Sequence, residues 1–144
     1  MHAASQEFSL NKAFSTFMGG LLLTRALLGF MSGGKLFGIF STSPDHNLLH
    51  LFMGTCLLWA GVWGKRTTAR AWNKFAGWTY GVIAFFGITG VAFLLQHLNV
   101  NTWADNLFNL FVAATSILVG HYGYRIRQKG LDFMQEMNWP FAKS

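Results

Sequence analysis

Two histidines stand four residues apart in the run Ser43-Pro44-Asp45-His46-Asn47-Leu48-Leu49-His50, a spacing that puts both imidazoles on one face of a helix about a turn apart. A second run, Trp103-Ala104-Asp105-Asn106-Leu107-Phe108-Asn109, sets an acid and an amide at the same interval. If helices carrying the two runs start at the same level, His46, His50 and Asp105 could ligate a divalent metal through imidazole nitrogens and a carboxylate. His50 alone could serve as an axial ligand of haem or chlorophyll. Together with Arg25 and Asn109, His46 and His50 would form a positive layer able to meet a quinone carbonyl, an anion or a lipid headgroup. Neither a third histidine at ligand spacing nor the glutamate of an HExxH motif accompanies them. Nucleotide loops, hydrolase elbows and paired buried carboxylates are missing too, so no catalytic residue is assigned and the chain reads as a non-enzyme.

The elements that would position these groups follow from composition. Of 144 residues, 52% are hydrophobic and only 11% charged, against about 25% charge in a soluble domain. That deficit points to lipid as solvent. Four stretches, about 13–32, 47–64, 75–96 and 105–124, are apolar enough to span a bilayer, each close to the ~20 residues that a ~30 Å hydrocarbon core needs. Backbone groups in lipid must be satisfied within the segment, so the stretches are predicted to be helices. Residues 1–12 form a polar tail without the basic, cleavable pattern of a signal peptide. Residues 125–144 form a basic tail in which Leu131, Phe133, Met134, Met137, Trp139 and Phe141 alternate with polar groups, as in a short interfacial helix ended by Pro140.

Basic residues set the expected orientation. Lys12, the cluster Lys65, Arg66, Arg70 and Lys74, and the cluster Arg125, Arg127 and Lys129 all fall on one side of a four-span chain, with Lys35 alone in a loop on the other. Both termini are therefore expected in the cytoplasm and the histidine run on the outer side. Trp63, Trp72, Trp78 and Trp103 suit aromatic belts at the two boundaries. The net charge of +6 is dispersed in these juxtamembrane clusters, which argues against a nucleic-acid face. Cys56, the single cysteine, lies inside an apolar stretch and reads as a small buried hydrophobe. His97 and His121 fall near opposite surfaces and read as interfacial residues.

Laying His46 to Gly61 on Asp105 to Gly120 matches Asn47 with Asn106, Leu48 with Leu107, His50 with Asn109, Leu51 with Leu110, Phe52 with Phe111 and Gly61 with Gly120. Carried back with a two-residue gap, the alignment puts Gly20 on Gly81, Gly29 on Gly90 and Arg25 on Phe86. The fold class expected is thus all-α: a four-transmembrane-helix bundle of two parallel hairpin repeats. Small-residue stripes (Gly19, Ala26 and Gly29; Gly54 and Gly61; Gly77 and Gly81; Ala113 and Gly120) should face its interior. Arg25, roughly 10 Å below the outer end by helical rise, needs a partner there, and Asp105 or Asp45 could supply it.

The Asp-His-Asn-Leu-Leu-His-Leu run, the Asn-Thr-Trp-Ala-Asp-Asn-Leu-Phe-Asn-Leu run and the glycine-rich first and third stretches resemble a family of small bacterial four-helix integral membrane proteins, a domain of unknown function, over residues 14–124. The resemblance implies the fold and a bacterial inner or other energy-transducing membrane, with no activity attached. It also implies a histidine where this chain has Asn109, a departure that weighs against any role needing one histidine per repeat. The expected function is that of a non-enzymatic accessory or scaffolding subunit with an outer-side polar layer. Its partners would be the lipid bilayer and a larger membrane complex or a second copy of itself. The competing expectations are a cofactor-binding protein (tetrapyrrole, quinone or divalent metal) and a small transporter.

Overall fold

The computed structural model describes residues 9–89 and 102–137. They form four helices, α1 (Leu10–Met31), α2 (Pro44–Val62), α3 (Arg66–Thr89) and α4 (Trp103–Glu136). Each start has a local cause. Ser43 caps α2, its hydroxyl accepting from the His46 N–H, with Pro44 at the first helical position, where a missing N–H costs nothing. Thr102 caps α4 in the same way through the Asp105 N–H at 3.1 Å. α1 and α2 are joined by a compact turn in which Leu36 and Phe40 exchange backbone hydrogen bonds. Gly38 and Phe37 both take positive φ there, 75° and 53°; only glycine adopts this region without steric cost.

The helices pack as two hairpins, α1 against α2 and α3 against α4. The hairpins meet through α1 and α3 and through α1–α4 and α2–α3 contacts, whereas α2 and α4 have no close backbone approach among the described residues. Between the two ends lies an apolar core of Met18, Leu22, Met53, Leu57, Ala76, Tyr80, Val112 and Ala113.

The repeat is real in the burial pattern, but its register differs from the expected one. The buried positions of α2 (46, 47, 50, 53, 54, 57, 60 and 61) fall on α4 after a shift of 59, as expected, with Asn106 half-buried. Those of α1 (11, 15, 18, 19, 22, 25, 26 and 29) fall on α3 after a shift of 58, with Gly87 half-buried as the counterpart of Gly29. Arg25 therefore corresponds to buried Ile83 rather than to Phe86, and Gly19 and Gly29 correspond to Gly77 and Gly87. A β-carbon at Gly29 would collide with the Asn47 amide and one at Gly87 with the Asn106 amide; Gly19 and Gly77 likewise touch the backbones of Leu58 and Ile117. The expected pairing of Gly20 with Gly81 fails on the same ground, since Gly20 faces open space. A slip of three residues keeps roughly the same helix face, which is why glycine spacing alone could not fix it.

Two helices, α1 and the Trp103–Met134 part of α4, are long and apolar enough to cross a membrane by length and composition. Four had been expected. α2 falls short because Asp45, His46, Asn47 and His50 occupy its first two turns, and α3 because its described part opens with Arg66, Arg70, Asn73 and Lys74 and ends at Thr89; the remainder of the expected 75–96 stretch lies outside the described residues. α4 also runs past the expected end at residue 124 as one 34-residue helix, about 51 Å at 1.5 Å per residue. The segment from Leu131 to Glu136 thus continues that helix rather than starting a separate one, and Pro140 lies outside the described residues.

The corrected register makes a prediction. Gly77→Leu should disrupt the α3–α4 contact, at the upper end of or beyond the roughly 1 to 3 kcal/mol of ordinary overpacking, whereas Gly20→Leu should be nearly neutral. Thermal unfolding of the two purified variants decides it, and equal midpoints would refute the register.

Candidate functional site: a buried polar layer at one end of the bundle

Arg25, 6% exposed, projects from α1 into the interface between the hairpins and makes an ion pair with Asp105 of α4, which is fully buried. Its guanidinium carbon lies 4.8 Å from the centre of the Phe40 ring and 5.0 Å from that of Phe108, within range of a cation–π contact to each. The second oxygen of Asp105 accepts from the Ser41 N–H at 2.9 Å and from the Thr102 hydroxyl. One carboxylate thus ties α1, the α1–α2 connection and the cap of α4 together. Of the two acids considered for Arg25, Asp45 is exposed on the first turn of α2 and plays no part.

On the other diagonal, His50 Nδ1 and the Tyr80 hydroxyl form a 2.7 Å hydrogen bond between α2 and α3. Their rings lie nearly parallel, at 12°, with centroids 5.6 Å apart, and Phe108 meets His50 edge-on. His46 is buried one turn away, its ring centroid 4.5 Å from that of His50. Both ring nitrogens of His46, Nε2 of His50, the Asn109 amide and two guanidinium nitrogens of Arg25 find no hydrogen-bond partner among the described residues. Asn47 donates to the Thr42 carbonyl at 3.3 Å.

The structure therefore brings Arg25, His46, His50, Asp105 and Asn109 into the same end of the interior. It does not gather three metal-ligating side chains into one group anywhere among the described residues. Asp105, the acid of the expected set, has its oxygens engaged by Arg25, Ser41 and Thr102. His121 is half-buried, Nδ1 contacting the Ile117 carbonyl, and Cys56 is a half-buried free thiol. His97 lies outside the described residues.

Sequence reasoning missed Phe40, Phe108, Tyr80, Ser41 and Thr102. Two of them carried a signal. Thr102-x-x-Asp105 is a capping pattern, and a tyrosine in the interior of an apolar helix needs a hydrogen-bond partner. Phe40 and Phe108 are two among 15 phenylalanines, and a backbone donor such as that of Ser41 leaves no mark in a sequence. Missed as well was a second polar cluster at the opposite end. There Ser15 donates to Asn73 Oδ1 at 2.6 Å, and the Asn73 amide donates to the backbone and side-chain oxygens of Asn11, at 3.1 Å each. Under the shift of 58, Ser15 and Asn73 are counterparts, so this cluster lies on the axis relating the repeats.

Removing one partner of a buried ion pair strands the other. Arg25→Leu should cost about 3 to 5 kcal/mol, while the double variant Arg25→Leu with Asp105→Asn should recover much of that loss. Exposed Lys35→Leu should change nothing. A double-mutant cycle on unfolding midpoints measures this; additivity of the two single variants would mean that the pair is not coupled.

No curated protein and no solved structure matches the chain. The family described as a domain of unknown function (DUF4383) matches residues 12–122, from the first turn of α1 into α4; the chain belongs to that family.

Proposed function

We propose that the protein is a four-span membrane protein with both termini in the cytoplasm, acting as a non-enzymatic accessory or scaffolding subunit. The observation that carries the membrane part is an inverted distribution of polarity. Arg25, Asp105, His46, His50, Asn47, Asn73, Asn109, Ser15 and Ser116 are buried. Leucine and aromatic side chains cover the outside of all four helices, among them Phe17, Phe30, Phe52, Trp59, Phe85 and Phe111. Such a surface in water would be one apolar patch far beyond the few hundred Å² that soluble monomers tolerate. Hydrocarbon accepts it, and makes interior polar groups and small-residue contacts the source of cohesion between helices. α2 and α3 share this outward face, with Leu48, Phe52, Trp59 and Val62 on one and Phe75, Trp78, Val82, Phe85 and Ile88 on the other.

The orientation is supported by where the cations gather. The Lys12 ammonium reaches the Val62 carbonyl at the end of α2, and Arg70 donates to the Gly120 carbonyl of α4 at 3.0 Å. The basic clusters of three separate segments therefore share one end of the bundle, the end the positive-inside rule assigns to the cytoplasm. The scaffolding part is supported by the state of Asp105. It is the one buried carboxylate among the described residues, and its contacts with Arg25 and Ser41 tie α4 to α1 and to the α1–α2 connection. The resemblance to small four-helix membrane proteins favours the membrane part of this reading.

A second reading, a cofactor-binding membrane protein, is favoured by the unpartnered nitrogens of His46 and His50 and the Asn109 amide. An absorption spectrum and elemental analysis of protein purified from its native membrane separate the two. A Soret or chlorophyll band, or stoichiometric metal, that vanishes in His50→Ala would replace the scaffold reading. For the membrane itself, the protein should resist alkaline extraction, and a cysteine placed at Phe37 should react with an impermeant thiol reagent from the outer side only. A monomer stable in detergent-free buffer would refute it.

A further inference from the structure

We propose that the α1–α2 connection, residues 32–43, is a hinged cover over the buried polar layer. Lifting it opens a site at which His46, His50 and Asn109 take a small uncharged molecule able both to donate and to accept hydrogen bonds. The first observation is the state of the side chains beneath the cover. His46 is 1% exposed and His50 and Asn109 are fully buried. Yet both nitrogens of His46, Nε2 of His50 and both polar atoms of the Asn109 amide meet no hydrogen-bond partner among the described residues. Buried polar groups are satisfied in the great majority of cases, so a set of orphans gathered at one end of a bundle calls for a partner from outside it.

Their chemistry selects the class of that partner. A neutral imidazole has one nitrogen that donates and one that accepts, and an amide does both. Arg25 and Asp105 neutralise each other beside them, so the layer offers no net charge to hold an ion. Water, or a small molecule with a hydroxyl or an amide, matches a mixed set of this kind.

The second observation is how the cover is attached. Leu36 and Phe40 exchange backbone hydrogen bonds and the Thr42 hydroxyl donates to the Gly34 carbonyl, which makes the connection one unit. Its polar ties to the layer run through the Ser41 N–H to Asp105 at 2.9 Å and the Thr42 carbonyl to the Asn47 amide at 3.3 Å. Gly33, just past the end of α1, has a φ of 59°, and a β-carbon there would meet nothing. Glycine is therefore present for its backbone freedom and not for space, as at a hinge. A run of rings joins cover to site: Phe40 meets Phe108 edge-on with centroids 6.3 Å apart, and Phe108 meets His50 in the same way at 5.7 Å. Lifting Phe40 thus frees the ring that packs against His50. The closed form leaves the orphan atoms unmet whereas the open form lets them be hydrated, which lowers the cost of opening.

The cover lies at the end of the bundle where α1 stops and α4 starts, and its opening depends neither on the scaffold reading nor on which side of a membrane that end faces. The test follows the reaction of introduced thiols with hydroxyethyl methanethiosulfonate, an uncharged polar reagent, in the full chain carrying Cys56→Ala. His46→Cys and Asn109→Cys remove side chains that make no hydrogen bond among the described residues. Ser116→Cys, equally buried and about two turns further along α4, is the control. Both layer positions should react about ten-fold faster than the control, and Phe40→Ala should speed them about ten-fold again while leaving the control unchanged. Analogues of the reagent bearing a trimethylammonium or a sulfonate group, with rates normalised to free cysteine, should be slower at both positions; a faster charged reagent would overturn the assignment of an uncharged occupant. Equal reactivity of Asn109→Cys and Ser116→Cys would overturn the cover, as would acceleration of all three positions alike by Phe40→Ala. If a cysteine variant does not fold, carbethoxylation of His50 by diethyl pyrocarbonate in the otherwise unaltered chain decides, with His121 as reference. A faster rate at His50 alone in Phe40→Ala supports the cover, and an unchanged rate refutes it.

Discussion

A guanidinium placed inside an apolar bundle must be neutralised within a few ångströms, and that requirement organises the end of the bundle at which α1 stops and α4 starts, the outer end on the orientation proposed above. Arg25 finds Asp105 on the far hairpin, so α4 must begin level with the middle of the last two turns of α1. Thr102 ends the preceding chain at that level by capping α4, and its hydroxyl also serves the carboxylate it helps to place. Ser41 delivers a backbone N–H to the other side of the same acid, which pins the α1–α2 connection down over the interface and brings Phe40 against the cation. A buried pair of this sort contributes little net stability over a well-packed apolar alternative, but breaking it is costly. Its effect is therefore to specify which surfaces of the two hairpins meet.

The two repeats share a backbone plan and differ where the chemistry is. Buried positions superimpose along both helix pairs, yet at the outer end Arg25 is matched by Ile83, His46 by Asp105, His50 by Asn109 and Leu22 by Tyr80. Each cross-hairpin contact there joins unlike groups: cation to carboxylate, imidazole to phenol. At the inner end the counterparts Ser15 and Asn73 bond directly to each other on the axis, and the contact of Asn73 with Asn11 is mirrored by that of Ser15 with the Ala69 carbonyl at 3.4 Å. Near-symmetry at one end fixes the closeness of α1 and α3. Asymmetry at the other makes the pairing of the hairpins directional.

Much of this was legible in the sequence, for identifiable reasons. Helix number, the packing of small-residue stripes, the α2–α4 half of the repeat and the choice of Arg25, His50 and Asn109 as interior groups all follow from one requirement, that a polar atom in an apolar stretch faces inward. The register of α1 on α3 was not legible, because glycines three and four residues apart lie on almost the same helix face and only the collision of Gly29 and Gly87 with particular amides distinguishes the alternatives. The engagement of Asp105, one of the three residues of the expected metal set, was not legible for a related reason. Spacing places side chains on a face, but which of them is already engaged depends on a loop donor at Ser41 and an arginine on another helix.

Charge is handled in opposite ways at the two ends. The outer end encloses its cation between two aromatic rings and an acid, and the energy of that arrangement is spent on holding the hairpins together. At the other end Arg70 is fixed by the Gly120 carbonyl, a neutral acceptor that leaves its positive charge in place. Glycine is used differently too: Gly29 seats the Asn47 amide beside the enclosed layer, whereas Gly123 admits Asn11 at the opposite end.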